Sequence, residues 1–424
     1  MTMMDDYLAR TPHSRALFER AIGSLPGGST RTTVYTAPYP PYVDSGSGLW
    51  LRDVDGNEYR DFLGNYTSLI LGHAHPVVVA AAEAQVRRGS AFAAPTETEV
   101  ELAEEIRSRV PSVERLRFTS SGTEATMFAM RAARAFTGRS LVAKFERSYH
   151  GTHDGVMAGT PGVPDAMSGL VVELPWGDAD GIEDALRGRL DELAAIIIEP
   201  VQGAGGVRPP EPGFLESLRD LADRTGALLI FDEIISFRVA PGGAQERFGV
   251  RPDLTTLGKI IGGGYPLAAF GGRADVMGIF DARRAGAISH GGTFNGSPVA
   301  AAAGLATLRQ LTPDRYRHLD DLGERLRTRV AATIDREGLD ARVTAVGSLF
   351  QIFSGSGATA FATGVAGGPT LFLALVLDGF YLAPRGMGAI PAIATATDID
   401  DLSDAIGRAL VALAEARVGE PATA

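Results

Sequence analysis

Short unbroken apolar runs punctuate this chain. Residues 193–198 (LAAIII) and 228–231 (LLIF) contain no polar position, and 141–145 (LVAKF) contains one, Lys144. Runs of this kind predict strands buried on both faces of a parallel sheet. Residues 115–119 read as a further short strand. Segments with helical spacing lie between them, at 77–88, 96–110, 123–136 and 213–225, the second opened by the capping pair Thr96 and Glu99. This alternation predicts an α/β domain built on a mostly parallel, doubly wound sheet.

The ends of the chain differ. Residues 11–25 carry a weak helical pattern that Pro26-Gly27-Gly28 stops. The aromatic and proline-rich run up to Tyr42 predicts an extended arm crossing the surface. Residues 49–62 read as a hairpin turning at Asp55-Gly56. From about residue 299 the pattern becomes long amphipathic helices, 299–311 and 316–337, followed by a smaller α+β region. The expected organisation is therefore an N-terminal arm and hairpin (1–58) packing with a small domain, a large domain (59–305), and a small C-terminal α+β domain (306–424).

Composition narrows the function. A chain of 424 residues, 45% hydrophobic, has enough material for a large core. A net charge of −11 argues against nucleic acid or an acidic membrane surface as partner. With no cysteine there is no disulfide, thiolate metal site or thiol nucleophile. No apolar stretch approaches a spanning helix and the N-terminus carries no signal-like segment, so the expected location is the cytoplasm. His73 and His75 lack further ligands at metal-binding spacing and are expected to be structural.

The chemistry concentrates where apolar runs end. Asp232-Glu233 terminates the 228–231 run, at the strand end where α/β sheets bind ligands. Lys259 follows in TTLGKIIGGG, and among 40 basic residues only Lys144 and Lys259 are lysines. A guanidinium cannot become a nucleophile and a lysine amine can, so a lysine kept in an arginine-rich chain is a candidate. An acid at one strand end with a lysine in a glycine-rich loop supplies the two groups that pyridoxal phosphate requires. Ser121-Gly122-Thr123 opens the 123–136 helix, where free amides and the helix dipole favour a dianion. Tyr149 lies just past the 141–145 strand, where a ring can stack on a flat cofactor, and Glu199 caps the 193–198 strand. No G-x-G-x-x-G follows a strand, so a nicotinamide dehydrogenase is a poor reading.

The ordered set SGTEA, YHG, EPVQG, FDE, TTLGKIIGGG and HGGTFNGSP resembles class III, fold-type I, pyridoxal 5'-phosphate-dependent aminotransferases, over nearly the whole chain. The branch containing glutamate semialdehyde aminomutase and β-phenylalanine aminotransferase is the most similar. The resemblance implies that Lys259 is the Schiff-base lysine and that Asp232 partners the pyridine nitrogen. Ser121, Gly122 and Thr123 match the phosphate cup, Tyr149 and Ile235 the residues on the two ring faces, and Glu199 an acid that orders the site. Thr293 matches a phosphate contact supplied by the neighbouring subunit, which implies a homodimer with shared active sites.

Arg31 and Arg385 are candidate clamps for a substrate carboxylate, because a guanidinium fork binds carboxylate in two-pronged fashion. The compact Ser29-Thr30-Arg31 segment, the Tyr35-Thr36-Ala37-Pro38 run and Pro384-Arg385-Gly386 resemble the β-phenylalanine aminotransferase form. The expected function is transfer of the amino group of a β-amino acid, aromatic or aliphatic, to a keto acid such as 2-oxoglutarate in ping-pong fashion. The alternatives are an intramolecular aminomutase acting on a semialdehyde and a non-catalytic protein of the same fold.

Overall fold

The computed structural model describes residues 2–354 and 370–418, which form two compact units. One comprises Met1–His75 with Arg317–Ala424, the other Pro76–Tyr316.

In the first unit, strands β1 (Val43–Ser47), β2 (Trp50–Asp53) and β3 (Glu58–Asp61) form an antiparallel meander. Its turn holds Asp55-Gly56, as the sequence predicts, and Asp53 clamps that turn by accepting from Asp55 N and Asn57 N.

The second unit is built on a seven-stranded sheet of β4 (Arg115–Thr119), β5 (Leu141–Phe145), β6 (Val171–Leu174), β7 (Leu193–Ile198), β8 (Leu228–Asp232), β9 (Leu254–Leu257) and β10 (Ala268–Gly272). The spatial order is β4-β10-β9-β8-β7-β5-β6. Strands β6, β5, β7, β8 and β9 pair in parallel, and β10 runs antiparallel to both β9 and β4. All six residues of β7 and the four apolar residues of β8 are buried, as their unbroken apolar runs require, and Asp232 at the end of β8 is buried with them. Two cores cover the two faces. Phe214, Leu218 and Leu221 of helix Phe214–Thr225 join one, and Ala125, Ala129 and Ala132 of helix Gly122–Thr137 join the other. The largely covered Lys144 side chain lies 2.6 Å from the half-exposed Glu173 on the paired strand β6.

The rest of the first unit follows. Strands β11 (Ala341–Val346), β12 (Leu349–Ser354) and β14 (Met387–Ala389) form a small antiparallel sheet, and β13 (Phe380–Tyr381) pairs in parallel with β3. The seams between units fall at 75/76 and 316/317 rather than near 58 and 305. The β3–β13 pairing holds residues beyond 58 with the C-terminal region, and helix Pro298–Gln310 packs on helices Pro76–Arg88 and Glu97–Arg109 of the sheet unit.

The aromatic run near residue 40 does not lie on the surface. Tyr39 is buried with Tyr7, Leu51, Tyr59 and Phe372, and the Tyr7 hydroxyl donates to its carbonyl at 2.8 Å. An extended backbone was legible from its prolines. The burial came from aromatic area that has more to gain inside than out. No described helix is long and apolar enough to cross a membrane.

Candidate active site

A pocket of about 180 Å³ opens at the carboxyl ends of the parallel strands, lined by Gly122, Thr123, Tyr149, Gly151, Glu199, Asp232, Ile234, Ile235 and Lys259. Seven of these were expected from the sequence, brought together from five separate segments by the strand order.

Asp232 is the last residue of β8 and is buried. Its Oδ1 accepts from Thr256 Oγ1 of the neighbouring strand β9 at 2.9 Å and from Ile234 N at 3.2 Å. Its Oδ2 lies 2.8 Å from His150 Nδ1. Three polar contacts thus fix the carboxyl group in place.

Lys259 follows β9 in a short 3-10 turn, with its backbone in the left-handed region at φ +50. That conformation is costly for a residue with a Cβ and marks a constrained position. Burial pushes its ammonium pKa down, against the opposing pull of Asp232 and Glu199. The amine is therefore more available than an ordinary lysine at neutral pH.

Glu199, at the tip of β7, is buried and links two loops. Its Oε2 accepts from Tyr149 N at 3.1 Å and its Oε1 from Gly203 N at 3.2 Å. Desolvation is the main cause that raises its pKa to about 7, with His150 opposing and Asp232 adding to the rise. The Tyr149 side chain is half exposed at the pocket.

Ser121 is the N-cap of helix Gly122–Thr137. Its hydroxyl accepts from Glu124 N and donates to the Glu124 carboxylate, which in turn accepts from Ser120 N. The first-turn amides of Gly122 and Thr123 have no helical carbonyl to bond and head the pocket. Two glycines keep this end open. A Cβ on Gly122 would stand 2.7 Å from the Ile234 side chain, and one on Gly151, at φ +95, would stand 2.6 Å from Thr123 Oγ1. An open helix terminus, a buried carboxyl group and a half-buried amine form a set that fits pyridoxal phosphate.

Ser121 caps the helix rather than lining the pocket, and Thr293 lies in an exposed stretch of the same unit, away from the pocket lining. Arg31 and Arg385 belong to the first unit. There Arg31 Nη1 donates to Asn65 Oδ1 at 2.9 Å, and Arg385 sits half-buried in the turn between β13 and β14. Sequence reasoning did not assign roles to His150, Gly151, Ile234 and Thr256. The first two stand in the YHG motif, and Ile234 lies between two residues that were singled out, so adjacency was the available signal.

The sequence profile of the family described as Aminotransferase class-III matches residues 34–410. A glutamate-1-semialdehyde 2,1-aminomutase of Sorangium cellulosum (strain So ce56) is 46% identical over 360 residues, spanning 81% of this chain and 82% of the relative. Among solved structures, an omega-transaminase from Sphaerobacter thermophilus superposes with a TM-score of 0.89 at 42% identity, covering 95% of this chain and 98% of that one. A β-phenylalanine aminotransferase from Variovorax paradoxus gives a TM-score of 0.90 at 36% identity, covering 97% of each chain. The curated relatives carry the aminomutase name, and they weigh toward the intramolecular alternative over the β-amino acid expectation.

Proposed function

The chain belongs to the class-III aminotransferases, pyridoxal phosphate enzymes, and on that footing we propose that it moves an amino group on a carboxylate-bearing substrate by an aminomutase-type reaction within one molecule. The observation that carries the chemistry is the convergence of Lys259, Asp232 and Thr123 on one pocket.

The bound cofactor supplies an electron sink for the substrate carbon that loses its proton. Lys259 would hold the cofactor's carbonyl carbon when substrate is absent. Its amine, with a lowered pKa, would then be the base that takes up the proton leaving the substrate carbon and later returns it. Asp232 would face the ring nitrogen and keep it protonated, steadied by His150 and Thr256. Gly122 and Thr123 would cradle the phosphate so that the ring keeps its place while covalent bonds change. Tyr149 and Ile235 would flank the ring, and Glu199 fixes the loop that carries Tyr149. The resemblance further supports a homodimer, with exposed Thr293 serving the partner's phosphate site.

A second reading, a β-amino acid transaminase, is favoured by the 42% and 36% identities to solved transaminases and by the two arginines. Both guanidiniums lie close enough to the Tyr66 hydroxyl to act on its ionisation. The two readings part in one assay. Purified enzyme given glutamate semialdehyde without any keto acid turns over many times if it is an aminomutase. A transaminase stalls after one turnover and restarts with a β-amino acid and 2-oxoglutarate.

A further inference from the structure

Residues 64–67 of the first unit form a left-handed turn. Four successive residues have positive φ: Gly64 at 55°, Asn65 at 50°, Tyr66 at 52° and Thr67 at 76°. With ψ of 60° and 54°, Asn65 and Tyr66 sit in the left-handed helical region. Glycine visits that region freely and asparagine tolerates it, whereas an aromatic or β-branched residue there is strained. Strain of this kind persists only where surrounding contacts dictate it, and it concentrates at functional positions.

The contacts are present. Asp61 accepts from Leu63 N at 2.8 Å and from Gly64 N at 3.0 Å through Oδ1, and its Oδ2 lies 2.6 Å from His73 Nε2. The entry to the turn is thereby clamped. Its exit is tied by Leu69 N donating to Gly64 O at 3.0 Å. In this conformation two consecutive side chains address one short segment. Asn65 Oδ1 accepts from Arg31 Nη1 at 2.9 Å, and the Tyr66 hydroxyl donates to the Thr33 carbonyl. Arg31 and Asn65 are exposed.

We infer that Asn65 and Tyr66 are positioning residues for carboxylate specificity, with Asn65 orienting the Arg31 guanidinium and Tyr66 anchoring the segment that carries it. The inference rests on the reading of Arg31 as a substrate clamp. The chemistry of position 65 supports it. A neutral amide oxygen takes one N–H of the guanidinium fork and leaves its charge and its other donors for an incoming carboxylate. An acid at that position would form a stronger, charge-assisted bond and would compete with the substrate.

That difference supplies the test, read in the amino-donor half-reaction by the visible absorbance of the bound cofactor. Asn65→Gly keeps the left-handed backbone and removes the amide. The KM for a carboxylate-bearing amino donor is expected to rise about tenfold, with kcat falling less and the KM for a carboxylate-free arylalkylamine unchanged. Asn65→Asp is expected to raise the carboxylate KM at least as far, although it holds Arg31 more firmly. A purely structural role predicts the reverse, a carboxylate KM at or below that of the parent, and that result would overturn the inference. Tyr66→Phe is expected to move the same KM in the same direction. Arg31→Ala, run in parallel, separates the layers. If it raises the carboxylate KM and neither Asn65 variant does, the inference falls and the clamp stands. If it leaves that KM unchanged, the clamp falls and the inference falls with it.

Discussion

Asp232 Oδ2 and His150 Nδ1 lie 2.8 Å apart, both side chains buried at the pocket. The carboxylate that would face a ring nitrogen is thus held from behind by an imidazole 82 positions earlier in the chain. Asp232→Asn replaces the carboxyl group with an amide that cannot ionise and should lower kcat by roughly a thousandfold while cofactor still binds. His150→Gln keeps a donor but loosens its aim, and a drop of roughly tenfold in kcat is expected. A near-parental rate for Asp232→Asn, in single-turnover kinetics, would count against its role.

Gly151 leaves the space that Thr123 fills. Alanine there meets Thr123 Oγ1 at 2.6 Å and must hold φ at +95. The expected cost is about 1–3 kcal/mol, together with displacement of the phosphate end and a visibly weaker hold on the cofactor. Equilibrium dialysis of cofactor against the variant, alongside thermal unfolding, checks both halves. Unaltered affinity would mean that Thr123 does not hold the phosphate.

Glu199 gives a pH signature. Its folded pKa of about 7 stands above the ordinary 4.5, chiefly through desolvation. The folded state therefore holds this proton more tightly than the unfolded state does. The stabilisation from it is complete below about pH 4.5 and disappears as pH rises through 7, by at most about 3 kcal/mol. Glu199→Gln should flatten the fall in stability between pH 5 and 7 seen in denaturant titrations of the parent. Equal slopes would show that the carboxyl ionises in the folded protein much as it does in water.

Arg385 sits half-buried in the β13–β14 turn, close enough to Tyr66 to act on its ionisation. Arg385→Ala should raise the KM for carboxylate substrates by roughly tenfold or more and leave simple amines untouched. Steady-state kinetics on a matched acid and amine pair decide it, and unchanged kinetics for the acid would remove Arg385 from the clamp.

Much of the site was legible because buried parallel strands write themselves as unbroken apolar runs, and the polar residue that ends each run stands at the ligand edge. Asp232 and Glu199 follow directly from β8 and β7. Lys259 stood out by scarcity. His150 was hidden, since nothing in one sequence says which acid a buried histidine meets. Strand β10 was missed because Ala268–Gly272 has little side chain to form a pattern, and its antiparallel sense is set by tertiary pairing. The left-handed turn at Asn65, Tyr66 and Thr67 carries no glycine after Gly64 to announce it. It arises from Asp61 and His73, whose roles appear only once the chain is folded. The burial of Tyr39 was likewise decided by partners far away in sequence.

The chemistry proposed for this pocket requires that one amine, Lys259, bonds to the cofactor. Borohydride reduction of the holoenzyme, followed by digestion and peptide mass mapping, tests it directly, with Lys144 as the built-in control because its amine is already paired with Glu173. A pyridoxyl mass on the peptide containing Lys259 alone is the result expected. The same mass on Lys144, or on neither lysine, would contradict the account.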